Sequence, residues 1–154
     1  MTGNSIGKEF TITSFGESHG KAIGVVIDGC PSGLPLSEAD FQEELDRRIP
    51  PEPRIVSARI EKDTAKILSG TFNGYTTGAP IAVTVENKET KSSDYDNIKD
   101  LPRPGHSDYP ARIRYGGFND YRGGGRFSGR VTVAIILAGT IAKKLLGRFN
   151  IDVL

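Results

Sequence analysis

The chain has 154 residues, with 20 Lys and Arg against 19 Asp and Glu, two His, one Cys and no Trp. A hydrophobic content of 36% and a charged content of 25% are typical of a soluble globular domain or of part of a larger one. The single Cys30 excludes a disulfide framework and fits a reducing compartment. One Cys and two His are too few ligands for a closed structural zinc site, so we expect no metal.

Two segments of the chain bear on membrane insertion and export. The longest apolar stretch, residues 131–142, is interrupted by two threonines and a glycine. It is shorter than the roughly 18 residues needed to span a bilayer. The first eight residues lack the basic and then apolar pattern of a signal peptide. The sequence therefore predicts a cytoplasmic protein that does not associate with membranes.

The first part of the chain predicts strands and one helix. Apolar and polar residues alternate over residues 10–14, and residues 23–27 are mostly apolar, which predicts two strands. Ser37 is a candidate helix N-cap followed by acidic residues, and the prolines from Pro50 onward would end that helix. Residues 56–60 alternate again and predict a half-buried strand.

The middle of the chain predicts a β-hairpin and a further strand. Residues 67–72 and the residues after position 74 flank an Asn-Gly pair, which suits a type I′ turn. Residues 81–85 predict a strand. Residues 87–110 are polar and contain three prolines, which predicts a long loop of the kind that carries function.

The C-terminal part predicts a buried helix over residues 131–146, ended by Gly147. Residues 151–154 predict the beginning of another strand. Because a domain that stops there would leave that strand unpaired, we expect the chain to be part of a longer domain.

Charge and glycine are unevenly distributed. Residues 31–102 have a net charge of −4, whereas residues 103–130 have a net charge of +4, with six Arg and no Lys. Six of the 19 glycines lie between Gly116 and Gly129. The planar Arg guanidinium matches phosphate and carboxylate oxygens. Residues 123–130, which precede the apolar helix, resemble a phosphate cradle at a helix N-terminus. The stretch predicts an anion site, and a solvated basic loop is the alternative.

Both histidines lie in glycine-containing turns, His19 within residues 16–20 and His106 within residues 103–108. Histidine can donate and accept protons near neutral pH, and a neighbouring anion would favour its protonated form. The alternative is that both are merely exposed turn residues. Ser18 suggests a nucleophile only weakly, because adjacent residues on a strand point to opposite faces.

Six motifs in order make the sequence similar to the chorismate synthase family. They are G-E-S-H-G at 16–20, L-D-R-R at 45–48, I-L-S-G at 67–70, T-T-G at 76–78, R-P-G-H-S-D-Y at 103–109 and D-Y-R-G-G-G-R at 120–126. The resemblance implies an α+β fold of the β-α-β sandwich type. Because the family is much longer than this chain, residues 1–154 would form the N-terminal part of one domain.

The resemblance also implies a function. Chorismate synthase is a phosphate lyase that converts 5-enolpyruvylshikimate 3-phosphate to chorismate by 1,4-elimination, the last step of the shikimate pathway in aromatic amino acid biosynthesis. It requires reduced FMN without net redox change, NADPH is a possible reductant, and the enzyme is typically a homotetramer. The 154-residue chain alone is expected to be inactive.

The resemblance implies roles for individual residues. His19 would keep the reduced flavin protonated, and His106 would donate a proton to the departing phosphate. The flavin-contacting residues would be Arg126, Phe127 and Ser128. Arg48 and Arg54 would bind phosphates of the substrate or of the nicotinamide cofactor.

The arginine-rich stretch adds substrate contacts to this set. We expect Arg103, Arg122 and Arg130 to bind the substrate, since a phosphate and two carboxylates need several cations. The sequence departs from the family at Ile49, where a further Arg is usual, and at Phe127, where Ser is usual and which can offer flavin only backbone contacts.

Two other functions remain open at this stage. The chain could be a catalytically inactive half-domain that retains the anion pocket. It could instead be an RNA-binding module that uses the Arg- and Gly-rich stretch and its aromatic residues. Such modules are usually strongly basic, and the net charge of +1 disfavours this alternative.

Overall fold

The computed structural model describes residues 3–48, 63–88, 95–96 and 99–153. Five strands form one antiparallel sheet. They are β1 (Ser5–Ile6), β2 (Thr11–Gly16), β3 (Ala22–Asp28), β4 (Ala65–Ile67) and β7 (Ile81–Glu86). The separate hairpin consists of β5 (Thr71–Phe72) and β6 (Tyr75–Thr76). In the sheet the order is β1-β2-β3-β7-β4. The α-helices are α1 (Gln42–Asp46), α2 (Asp108–Arg114) and α3 (Val133–Gly147).

The core lies between one face of the sheet and the helices α1 and α3. Alternate residues of the two central strands point to this face and pair across the sheet, Ile23 with Val85 and Val25 with Val83. All four are at most 1% exposed. Since burial of such a side chain contributes about 1.5–3 kcal/mol, these strands anchor the fold.

Helix α3 covers the sheet with an apolar stripe at helical spacing. Val133, Leu137 and Ile141 are fully buried and lie four residues apart, so they share one helix face. On its polar side, Nζ of Lys143 is 2.6 Å from Oε1 of Glu44 in α1. The apolar stripe holds α3 on the sheet, and the ion pair connects it to α1.

Most of the predicted elements in the described residues are confirmed. Strands predicted at 10–14, 23–27 and 81–85 correspond to β2, β3 and β7. The helix after Ser37 is also present, but it begins with a 3-10 turn, Glu38–Phe41, before α1. The predicted strand at 56–60 and the prolines from Pro50 onward lie outside the described residues.

The predicted hairpin is present but shorter than expected. Asn73 and Gly74 have φ of 50° and 80°, as a type I′ turn requires. Ile67 belongs instead to β4, where it pairs with Val83. The chain therefore leaves the main sheet after Ile67 and forms the hairpin separately.

Two sequence predictions were wrong. The predicted loop at 87–110 is wrong at its end, because residues 108–110 begin α2. Pro110 is tolerated there, since the backbone N–H groups in the first turn of a helix have no partner within the helix. The predicted strand at 151–154 is not formed at 151–153, which are exposed. There the chain turns away from α3 through Asn150, whose φ is 56°.

The α+β class is confirmed by this layer of antiparallel sheet packed against helices. The described residues contain one main sheet, whereas a β-α-β sandwich needs a second one on the far side of the helices. Among the helices described, none combines the length and apolar character needed to cross a membrane.

Candidate functional site

The two histidines pack against neighbouring glycines of one turn, residues 123–125, which we call the triple-glycine turn. Its glycines have φ of 57°, 81° and 53°, values at which an L-residue is strained. A Cβ added at Gly123 would overlap the His19 ring, and one at Gly124 would lie 2.8 Å from Cε1 of His106. Only glycine permits both close approaches, so the turn brings together the two histidines that the sequence analysis singled out.

His19 lies in the connection between β2 and β3, residues 17–20, which we call the His19 turn. The turn closes on itself through the Gly20 N–H, which donates to Glu17 O at 3.0 Å. The Ser18 N–H donates to Gly125 O at 3.1 Å and so attaches the turn to the triple-glycine turn. Ser18 is only 4% exposed, which disfavours it as a nucleophile.

His106 is oriented by a carboxylate that is itself held by an arginine. Nδ1 of His106 is 2.6 Å from Oδ1 of Asp108. Arg103 donates to both carboxylate oxygens, from Nε at 2.7 Å and from a terminal nitrogen at 2.8 Å. These bonds hold the pKa of Asp108 well below its usual range, so the carboxylate stays ionised. A carboxylate at this distance favours the tautomer with its proton on Nδ1, and Nε2 then lies beside Gly124 and 3.5 Å from a terminal nitrogen of Arg103.

A cavity of about 320 Å³ with a mixed polar and apolar lining lies close to both histidines, although neither lines it. Its lining includes Arg103 and Asp108 from the His106 environment, and Tyr95. The Tyr95 ring meets the His19 ring edge-on, with 5.1 Å between centroids. The cavity is large enough for a small polar ligand beside the two histidines.

A second cluster of charge lies at Asp63, which is 7% exposed. Its Oδ2 accepts a hydrogen bond from Arg48 at 2.9 Å and another from Arg130 at 2.7 Å. Two guanidiniums thus share one carboxylate and leave a net positive charge. Oδ1 of Asp63 is buried, and no donor among the described residues reaches it. Burial lowers the pKa of Arg48, and Asp63 opposes that shift.

The remaining predicted site residues lie around the triple-glycine turn. Arg122 donates to both carboxylate oxygens of Asp120 at 2.8 Å. The guanidinium of Arg126 donates to the backbone carbonyls of Ser14 at 2.8 Å and Gly16 at 3.0 Å, so it faces β2. Its contact with a cofactor stays a prediction.

Phe127 and Ser128 come directly after Arg126 in the chain. The Phe127 ring is 40% exposed, and Ser128 Oγ accepts the Arg130 N–H at 3.3 Å. Arg54 lies outside the described residues.

The basic stretch 103–130 is less positive in the folded chain than its composition suggests. Four of its six arginines, Arg103, Arg112, Arg122 and Arg130, pair with Asp carboxylates. Two of those partners, Asp63 and Asp100, come from outside the stretch. The net charge of this stretch therefore overstates the positive charge that it presents in the fold.

Asp63 and Tyr95 were not predicted as site residues. Neither lies in a glycine turn or a family motif, and only the fold places them beside residues that had been identified. In the described part of the chain, no group of three or more His, Cys, Asp or Glu could hold a metal ion.

Comparison with known proteins gives a consistent result. A chorismate synthase family profile matches residues 10–154. Chorismate synthase from Korarchaeum cryptofilum is 53% identical over 154 residues, which are 100% of this chain and 43% of that protein. The enzyme from Pyrococcus abyssi is 56% identical over 147 residues, which are 96% of this chain and 41% of that protein.

Solved structures agree with these relatives. A crystal structure of chorismate synthase matches with a TM-score of 0.68 at 33% identity, covering 94% of this chain and 36% of that one. The chain spans less than half the length of the curated relatives it matches. It belongs to the chorismate synthase family.

Proposed function

We propose that the protein carrying this chain catalyses the reaction of its family, the 1,4-elimination of phosphate from 5-enolpyruvylshikimate 3-phosphate to give chorismate. The observation that carries the proposal is the packing of His19 and His106 against adjacent residues of one glycine turn. The half-buried Arg48 and Arg130 supply positive charge for an anionic substrate. Family membership supports the same reaction.

His106 is proposed as the proton donor to the leaving phosphate. Loss of phosphate develops negative charge on the departing oxygen, which a positioned acid neutralises. Asp108 holds Nδ1 and stabilises the charged imidazolium, which leaves Nε2 to deliver the proton. Arg103 acts on this step by fixing Asp108 through two hydrogen bonds.

Substrate phosphate and carboxylates are proposed to bind Arg48, Arg103, Arg122 and Arg130. A guanidinium has five N–H donors, and a two-bond contact with a carboxylate uses only two. An arginine already fixed by Asp63, Asp108 or Asp120 can therefore still donate to a ligand, and it loses less side-chain entropy on binding. A role for Arg54 in phosphate binding remains a prediction from the family.

The residues around the triple-glycine turn suit reduced FMN. Gly123 and Gly124 let two imidazole rings approach the backbone closely, and the exposed Phe127 side chain provides an apolar surface in the same segment. We propose that Phe127 and Ser128 contact the flavin, that Arg126 fixes this turn on β2, and that His19 keeps the flavin protonated. When bound, reduced FMN supplies transient electron density for cleavage of the C–O bond.

The remaining elements of the proposal come from the family. They are a homotetramer, a cytoplasmic location and NADPH as a possible reductant. RNA binding is disfavoured, because the net charge of the chain is only +1, whereas RNA-binding modules are usually strongly basic.

The test is an anaerobic assay of the intact protein with chemically reduced FMN and 5-enolpyruvylshikimate 3-phosphate, in which chorismate and released phosphate are both measured. His106→Ala should lower turnover by about 10²–10⁴-fold, as removal of a general acid does. Lys66→Ala, at an exposed position of β4, is the control and should leave turnover unchanged. Folded wild-type protein that forms no chorismate would contradict the proposal.

The inactive half-domain is tested in the same assay. The 154-residue chain alone is expected to form no chorismate, because relatives that carry the activity are more than twice as long. Turnover by the chain alone would show that the described site is sufficient for the reaction.

A further inference from the structure

Asn87 directly follows β7 and contacts both ends of the His19 turn. Its side-chain Nδ2 donates to the carbonyl of Glu17 at 3.1 Å and to that of Gly20 at 2.9 Å. Its backbone N–H donates to the carbonyl of Lys21 at 3.1 Å. Three hydrogen bonds from one residue thus fix the turn against the sheet.

The oxygen of the same amide faces the charge cluster at Asp63, which consists of Asp63, Arg48 and Arg130. Oδ1 of Asn87 accepts a hydrogen bond from Nε of Arg130 at 3.2 Å. The orientation of the amide follows from its partners, because carbonyls can only accept and a guanidinium can only donate. Arg130 also donates a hydrogen bond to Oδ2 of Asp63, and that oxygen accepts another from Arg48.

We propose that Asn87 is a positioning residue that couples the placement of Arg130 to the placement of His19. The proposal rests on the proposed function, in which these two residues serve substrate and flavin. The amide keeps the His19 turn and the charge cluster at Asp63 at a fixed separation. A bound anion and the His19 imidazole therefore keep their relative positions. An offset of about 1 Å between such groups can lower a rate about 100-fold.

The first test is a double-mutant cycle on the intact protein. Asn87→Ala should lower kcat by about 10–100-fold, with KM changed by less than about threefold, because the turn shifts while Asp63 still holds Arg130. In a His19→Ala background the same change should lower kcat by less than about twofold. An undiminished effect in that background would overturn the proposal, since Asn87 would then act independently of His19.

A second variant separates the two sides of the amide. Asn87→Asp keeps an oxygen for Arg130 but places a carboxylate oxygen against the carbonyls of Glu17 and Gly20. We expect it to lose as much kcat as Asn87→Ala. Wild-type kcat in Asn87→Asp would contradict the coupling, because the Arg130 contact alone would then suffice. Glu86→Ala, one residue earlier and exposed, is the matched control and should keep wild-type kcat.

A readout without turnover separates this proposal from the proposed function. The imidazole NMR signals of His19, assigned by their loss in His19→Ala, should shift or broaden in Asn87→Ala and stay unchanged in Glu86→Ala. Unchanged His19 signals in folded Asn87→Ala would overturn the proposal. If wild-type protein forms no chorismate, the proposed function fails, and the NMR result still decides whether Asn87 positions His19.

Discussion

The apolar core and the surroundings of the triple-glycine turn are stabilised by different interactions. The core consists of side chains at regular strand and helix spacing, such as Val25 and Val83 across the sheet and Leu137 in α3, all fully buried. The surroundings of the turn consist of carboxylate–guanidinium pairs and backbone hydrogen bonds. The core should therefore determine stability and the site should determine activity, and substitutions can test this separation.

The largest expected effect on stability is in the core. Phe41 is fully buried, and Phe41→Ala should lower the free energy of unfolding by about 3–5 kcal/mol through lost burial and the cavity left behind. The change is measured as the denaturation midpoint of the intact protein. Phe118→Ala is the control, because Phe118 is 96% exposed, and it should change stability by less than about 0.5 kcal/mol. Equal losses in both variants would contradict the position of the core.

The next effect should appear in activity. Gly124→Ala places a Cβ 2.8 Å from the His106 ring and should lower turnover about 100-fold. Gly33→Ala is the matched control, because its φ of 80° is close to the 81° of Gly124 while a Cβ there meets nothing within 4 Å. Both variants carry the same backbone strain, so a difference in turnover reports the ring contact. Equal turnover would show that the close approach does not matter.

The smallest effect is a pH dependence of stability at Asp108. Because the folded protein lowers the pKa of Asp108, its contribution is fully present above the unfolded value of about 4 and is lost as pH falls through the folded value. Asp108→Asn should therefore reduce stability above about pH 4, by about 1 kcal/mol or less for this partly exposed pair, and less at lower pH.

Asp100→Asn is the control for that series, because Asp100 is 69% exposed and pairs with Arg112 at 3.3 Å. Its stability should follow wild type at every pH. A constant difference between Asp108→Asn and wild type across the acid range would show that the carboxylate has an ordinary pKa.

The sequence predicted the central strands well because their apolar residues over 23–27 and 81–85 lie in the buried core. It failed at Pro110, where a proline typical of loops lies in the first turn of α2, and at 151–153, where apolar residues are exposed. Alternation alone does not show whether a partner strand is present.

The candidate site was partly visible in the sequence. His19 and His106 were identified from their glycine-containing turns, Arg48 from a family motif and Arg130 from the arginine-rich stretch. Their partners Asp63 and Asn87 could not be found, because each is a single polar residue brought to the site by the sheet. The net charge of residues 103–130 also overstated the free positive charge, since ion pairing with Asp63 and Asp100 depends on the fold.

The most direct test of the central claim, that the triple-glycine turn and its two histidines form the flavin and substrate site, is a titration of the intact protein with FMN. Flavin absorbance and fluorescence are followed with and without 5-enolpyruvylshikimate 3-phosphate, in wild type, Gly124→Ala and Gly33→Ala. We predict flavin binding that strengthens with substrate in wild type and Gly33→Ala and weakens in Gly124→Ala. Equal flavin binding in all three proteins, or none in folded wild type, would contradict the account.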